Sequence, residues 1–349
     1  MSTLFSDNFN RADGGLGSNY TDLIAGMAIS SNQVAGAAGD SATYYDNGTP
    51  GADCWAEIRY VTKTAGGGNL GIRLDTGTFD TYFFSALNAS ASVSRQDAGV
   101  PTVLGSTFTT PADGTVVRLE MRGSTISVYY DDVLQTTRTD ATYSSAGRTF
   151  FSCNGAAHRY DDFATGTLPT ISSATPSGTL GTDTTATIGC TTDDSTGTLY
   201  VVVDTASLSG ITASQIKAGE NASSAAADAS GNAAVSTGSP SVGVTGLTAS
   251  TAYNYAVLQF SGGNSNILTG TFTTAAPPAA LTQSRFRFRN DDGSETTATW
   301  AAVEDADISV AALTAKRLRV QVAATGDPSA KSFKLQYRKV GDGTWRDIN

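Results

Sequence analysis

Apolar and polar side chains alternate along much of this chain, most clearly over residues 115–137. There Val117, Leu119 and Met121 stand between polar neighbours, a turn follows at 122–125, and Ile126, Val128 and Tyr130 resume the alternation before Asp131 and Asp132 turn the chain into Val133. A period of two broken by turn residues predicts a meander with one buried face. Shorter runs of the same kind occupy 54–61, 70–74, 82–87 and 149–153. The pattern returns near the C-terminus, where Phe286 and Phe288 alternate with Arg285, Arg287 and Arg289, and Phe333, Leu335 and Tyr337 alternate with Lys334, Gln336 and Arg338. No segment predicts a helix of more than a turn or two. The Ala- and Ser-rich stretch 214–238 reads as a long excursion between strands, in which a short helix would be poorly anchored. Strands in this number bury their apolar faces most simply in two-sheet sandwiches.

Composition supports that picture. Of the 32 acidic residues only five are Glu (Glu57, Glu120, Glu220, Glu295 and Glu304), and 37 residues are Gly. Asp and Gly serve turns, whereas Glu serves helices. Two proline-marked breaks, at Pro169 and at Pro277-Pro278, divide the chain into 1–168, 169–276 and 277–349.

The first segment opens with Asp7-Asn8-Phe9-Asn10-Arg11-Ala12-Asp13-Gly14-Gly15-Leu16-Gly17, followed by Asn19-Tyr20, and closes with Arg159-Tyr160-Asp161-Asp162-Phe163. With the meander between them, these residues resemble the concanavalin A-like (lectin, glucanase and laminin-G-like) domains common in phage and bacterial surface proteins. Gly246-Leu247, Thr251, Tyr253, Tyr255 and Val257, with Ser265 and the run 271–274, resemble a fibronectin type III module. The third segment is similar to a sandwich module found near the ends of such proteins, and similar modules continue past a turn like the one at 341–345. The expected fold class is therefore all-β: a concanavalin A-like jelly-roll β-sandwich followed by two smaller immunoglobulin- or fibronectin-like β-sandwich modules, the last one incomplete.

Charge and chemistry narrow the function. A net charge of −10 argues against nucleic acid, which needs a basic face, and no apolar run is long enough for a membrane-spanning helix. Half of the Lys and Arg lie between 285 and 346, which suggests docking to an acidic neighbour. Cys54, Cys153 and Cys190 have no metal-ligand spacing and read as ordinary buried thiols, with Cys54 and Cys153 a candidate pair across a sheet. The N-terminus lacks the features of a signal peptide, so folding in a cytoplasm without Sec export is expected. Retaining glycoside hydrolysis needs two carboxyl groups about 5–5.5 Å apart, yet neither Glu57 nor Glu120 has an acidic partner at i+2 or i+4. His158, the only histidine, argues against Ser-His-Asp chemistry.

Two candidate sites remain. Tyr44, Tyr45, Asp46 and Asn47, with Phe79, Asp80 and Tyr82, could supply aromatic faces and hydrogen-bonding groups for a carbohydrate. In the resembling domains the first and last strands pair, which would gather Asp7, Asp161 and Asp162 into a calcium site, the one cofactor envisaged. The expectation is a non-enzymatic phage virion surface protein (tail fibre, tail tip or capsid decoration) acting in assembly and adhesion. Its expected partners are other virion proteins, host-surface glycan and further copies of itself. A bacterial surface adhesin or filament subunit is the alternative, and a glycoside hydrolase comes third.

Overall fold

The computed structural model describes residues 3–37, 39–87, 89–325, 334–341 and 343–347. Phe333, invoked above for its alternation, lies outside the described residues. The chain forms two compact units. The first comprises Met1–Leu180, Thr185–Leu247 and Ala252–Thr273, and the second comprises Gly181–Thr184, Thr248–Thr251 and Thr274–Asn349.

Most of the first unit is a large sandwich. Among the described residues its back sheet has nine strands, centred on the antiparallel run Val133–Thr139, Thr125–Tyr130, Val116–Arg122, Cys54–Thr62 and Arg159–Thr167. The front sheet has eight, in the order Val100–Val103, Ser90–Asp97, Thr81–Leu87, Gly68–Leu74, Arg148–Asn154, Asp40–Tyr45 and Tyr20–Asp22, with Phe108–Thr109 beside Ser90–Asp97. Thr3–Asp7 pairs with Arg159–Thr167 and sets Asp7 opposite Phe163, the pairing of first and last strands expected from the sequence. The alternating residues form the core. Val117, Leu119, Met121, Ile126 and Val128 on the back sheet are fully buried against Leu70, Ile72, Phe84 and Val93 on the front.

A smaller sandwich completes the first unit. Its sheets are Ile171–Thr175, Thr185–Thr192 and Ser241–Thr245 on one side, with Leu268–Thr273, Ala252–Ser261, Thr198–Asp204 and Ala229–Ala234 on the other. The 214–238 excursion is more ordered than its composition suggests. Thr212 and Gln215 form a reciprocal capping box for the helix Ala213–Ala218, and Ile216 anchors that helix among Val202, Leu208, Ala256 and Leu258. The strand Ala229–Ala234 then adds to the sheet edge.

This sandwich covers the outer face of the back sheet. Gly262 and Gly263 lie so close to Trp55 that a Cβ on Gly262 would sit 2.2 Å from the indole. The Arg118 guanidinium lies 5.0 Å from the centre of the Phe260 ring, and Asn264 donates its backbone N–H to Glu120 Oε1 at 3.0 Å. The front sheet's outer face is thereby the open one.

In the second unit, Ala280–Asn290 and Lys316–Thr325 pair as a long two-stranded ribbon, and Gln336–Tyr337 pairs with Arg346–Asp347. Cys54, Cys153 and Cys190 are buried free thiols, and the candidate pair Cys54 and Cys153 lies on different sheets of the large sandwich, unjoined.

Candidate functional site

The front sheet turns one set of alternate residues inward and the other outward. Strand register converts the outward set into two adjacent rows. In the first, Tyr44 is paired with Phe150, Phe150 with Gly71, Gly71 with Phe83, and Phe83 with Ser94. In the second, Ala42 is paired with Ser152, Ser152 with Asn69, Asn69 with Ser85, and Ser85 with Ser92. The first row carries three aromatic rings, and the second carries three hydroxyls and an amide.

Gly71 makes the aromatic row flat. A Cβ there would meet the Phe150 ring at 1.8 Å, so only glycine lets that ring lie down on the sheet. Phe150 then packs with Phe83 at 6.5 Å between ring centroids and with Leu74, flanked by Leu23 and Tyr44. In the polar row Asn69 Nδ2 donates to Ser152 Oγ at 2.8 Å. Phe150, Phe83 and Ser94 of the first row, with the whole second row, floor a groove of about 720 Å³.

Exposed apolar residues Ile24, Phe79, Leu87 and Val103 form its rim. Phe79 is 43% exposed and holds φ at 61°, a left-handed conformation that bulky residues rarely adopt. Its N–H donates to Asp75 O at 2.8 Å, and its own carbonyl accepts from Gln96 Nε2 at 3.1 Å. The fixed turn projects the ring at the groove's edge. Among the described lining residues the only carboxylic acid is Asp40, which accepts from Asn154 Nδ2 at 2.6 Å, and none is Lys, Arg or His.

The sequence-predicted residues divide sharply. Tyr44 belongs to the aromatic row, half-buried, with the Arg148 guanidinium 5.3 Å from its ring centre, and Phe79 is on the rim. Asp80 is next to it, its Oδ1 accepting from Ala98 N at 2.7 Å, a bond that holds its pKa below the usual value. Asp46 accepts from Thr21 Oγ1 at 2.7 Å and pairs with Arg148 at 2.9 Å, while the exposed Asn47 donates to Asn19 Oδ1 at 3.2 Å. Tyr45 and Tyr82 must be removed from the candidate site. Each is one residue out of phase, so its side chain points into the core, where Tyr45 stacks on Phe5 and Tyr82 donates to Asp140 Oδ1 at 2.6 Å. Of their neighbours, Phe83 lines the groove, and Tyr44 lies on the same outer face against the Phe150 cluster. Asn69 and the serines are short polar positions within strands and carry no distinguishing signal, while Phe150 stands beside Phe151, so alternation does not say which ring faces outward.

The aspartates of the calcium expectation have other partners. Asp7 accepts from Arg11 at 2.7 Å, from Phe9 N at 2.8 Å and from the Tyr20 hydroxyl at 3.1 Å. Asp162 accepts from Arg59 Nε at 2.8 Å, and Asp161 Oδ1 accepts from Asp162 N at 2.9 Å. Guanidinium and backbone donors take up these carboxylates, and among the described residues no group of His, Cys, Asp or Glu is arranged to hold a metal ion.

Glu57 and Glu120 are on the other sheet, on the face covered by the smaller sandwich. Arg118, 2% exposed, donates to Glu120 Oε1 at 2.9 Å and to Glu57 Oε2 at 3.5 Å, and also binds Asp132. Burial raises the pKa of Glu57, opposed by the Arg118 charge. His158 is wholly buried beside Tyr60 and Tyr160, and burial lowers its pKa to about 4.

No family model matches the chain, and no curated protein matches it by sequence. Among solved structures it is similar to a carbohydrate-binding module from Bacillus subtilis, at 19% identity over 42% of this chain and 92% of that one, with a TM-score of 0.35. A β-glucanase from Bacillus licheniformis is similar at 15% identity over 48% and 98% of the two chains, with a TM-score of 0.32. A Bacillus subtilis protein of unknown function with a galectin-like fold is similar at 12% identity over 48% and 96%, with a TM-score of 0.34. The chain itself is an all-β protein of sandwich sheets.

Proposed function

We propose that this protein binds an uncharged glycan in the front-sheet groove and does no chemistry on it. The observation that carries the reading is one groove floor on which the Phe83 and Phe150 rings lie beside Asn69, Ser85, Ser92 and Ser152. A pyranose has the matching division, with C–H faces that pack on aromatic rings and hydroxyls that exchange hydrogen bonds with Ser and Asn. The groove has no cation to attract an acidic sugar, and a single carboxylate, Asp40, among its described lining residues. Hydrolysis by the usual route needs two carboxyl groups.

Titration calorimetry against neutral, acidic and amino-sugar polysaccharides tests this. Binding is expected for a neutral glycan, weakened about tenfold by Phe79→Ala, equivalent to ~1.4 kcal/mol. No heat above background with any of the three classes would remove the reading. Reducing-sugar release from the bound glycan would overturn its non-enzymatic half.

The setting proposed is a phage virion surface, where an adhesive β-protein folded in the host cytoplasm would serve in assembly. Mass spectrometry of purified particles should detect the chain. Recovery only from the surface of the bacterium itself would favour the adhesin.

A further inference from the structure

Among the described residues, the second unit has strands patterned to bury a face, yet their apolar side chains are packed into no core cluster. The buried residues of all four apolar core clusters lie between Phe9 and Phe272. Beyond Thr274, the buried side chains among the described residues are Arg289 and Ala298.

The Ala280–Asn290 and Lys316–Thr325 ribbon is nonetheless two-faced. Register pairs Phe286 with Val320 and Phe288 with Leu318, and Val322 follows on the same side. The opposite side carries Arg285, Arg287 and Arg289 against Gln321, Arg319 and Arg317. That cationic side is already engaged. Trp300 has the guanidiniums of Arg287 and Arg289 at 4.2 and 5.0 Å from its ring centre, and Glu295 pairs with Arg289, Arg317 and Arg319. The apolar side remains open, with Leu318, Val320 and Val322 at 39, 38 and 40% exposure. An isolated two-stranded ribbon is marginal in water.

Charge indicates what meets it. Residues 1–284 carry 11 Lys and Arg against 23 Asp and Glu, whereas residues 285–349 carry 11 against 9. Copies of this chain repel one another over the acidic part and approach without net repulsion at the nearly balanced part. The face is also self-complementary, with large aromatic side chains on one strand and smaller aliphatic ones on the other. A two-fold axis parallel to the strands lays the aromatic row of each copy over the aliphatic row of its mate.

We propose that the apolar face of this ribbon is a self-association surface, occupied by the same ribbon of a second copy of the chain. Sedimentation velocity on the full chain across a hundredfold range of concentration tests it. The expected result is a concentration-dependent dimer, abolished by Val320→Asp and by Phe288→Asp. Leu313→Asp, in the same unit at a fully exposed position off this face, is expected to leave the dimer intact. Circular dichroism matching the parent chain would show that the sandwiches of the first unit remain folded in each variant. A monomer at every concentration overturns the proposal, as does an oligomer that survives both Val320→Asp and Phe288→Asp, or one lost equally in Leu313→Asp.

Discussion

His158 shows how one buried side chain makes a fold sensitive to acid. Its pKa falls from an unfolded value near 6.5 to about 4 in the folded chain, because burial disfavours the imidazolium. The folded protein therefore stays neutral there while the unfolded chain takes up a proton. The stability involved is fully present above pH 6.5 and is lost as pH falls towards 4, by up to roughly 3 kcal/mol. Thermal unfolding at pH 7 and pH 4.5 should show a smaller drop in Tm for His158→Phe than for the parent chain. An equal drop in both would show that other groups carry the acid response. At Gly71 the constraint is steric. Gly71→Ala would force its Cβ against the Phe150 ring or the sheet apart, with an expected loss of about 1–3 kcal/mol. Urea unfolding measures that loss, and calorimetry should show glycan affinity falling with it, since the floor would no longer be flat.

Strands were the most legible elements, for an identifiable reason. On Val116–Arg122 the inward residues Val117, Leu119 and Met121 are apolar, while the outward Arg118 and Glu120 are charged, so alternation alone reveals the buried face. On Thr81–Leu87 both faces are apolar or aromatic over Tyr82, Phe83 and Phe84, and alternation cannot say which ring meets the groove. The error at Tyr82 came from that ambiguity. Neither the cross-strand neighbours that create the two rows nor the outward-facing role of Gly71 can be read without register. The contact between sandwiches was equally illegible, because Arg118 and Glu120 look like solvated strand residues until the second sandwich covers them. Removing only the cation, in Arg118→Met, leaves Glu120 buried without its partner, with an expected cost of about 3–5 kcal/mol in urea unfolding. The double variant Arg118→Met with Glu120→Leu should recover much of that loss. No recovery would show that the network matters for more than charge balance.

At the scale of the whole molecule, the sequence reading of an all-β chain with sandwich sheets matches the structure, whereas the groove depends on which sheet is left open. Within the first unit, the smaller sandwich covers the back sheet of the large one and leaves the groove on the front sheet uncovered. The same seam holds Trp55, 2% exposed, while the chain's other two tryptophans, Trp300 and Trp345, are 39% and 56% exposed. Replacing those two by Phe would leave a chain whose ultraviolet emission comes from a single indole pressed against Gly262 and Gly263. Its colour would then report, without any attached dye, whether the seam is shut in dry contact or has opened to water.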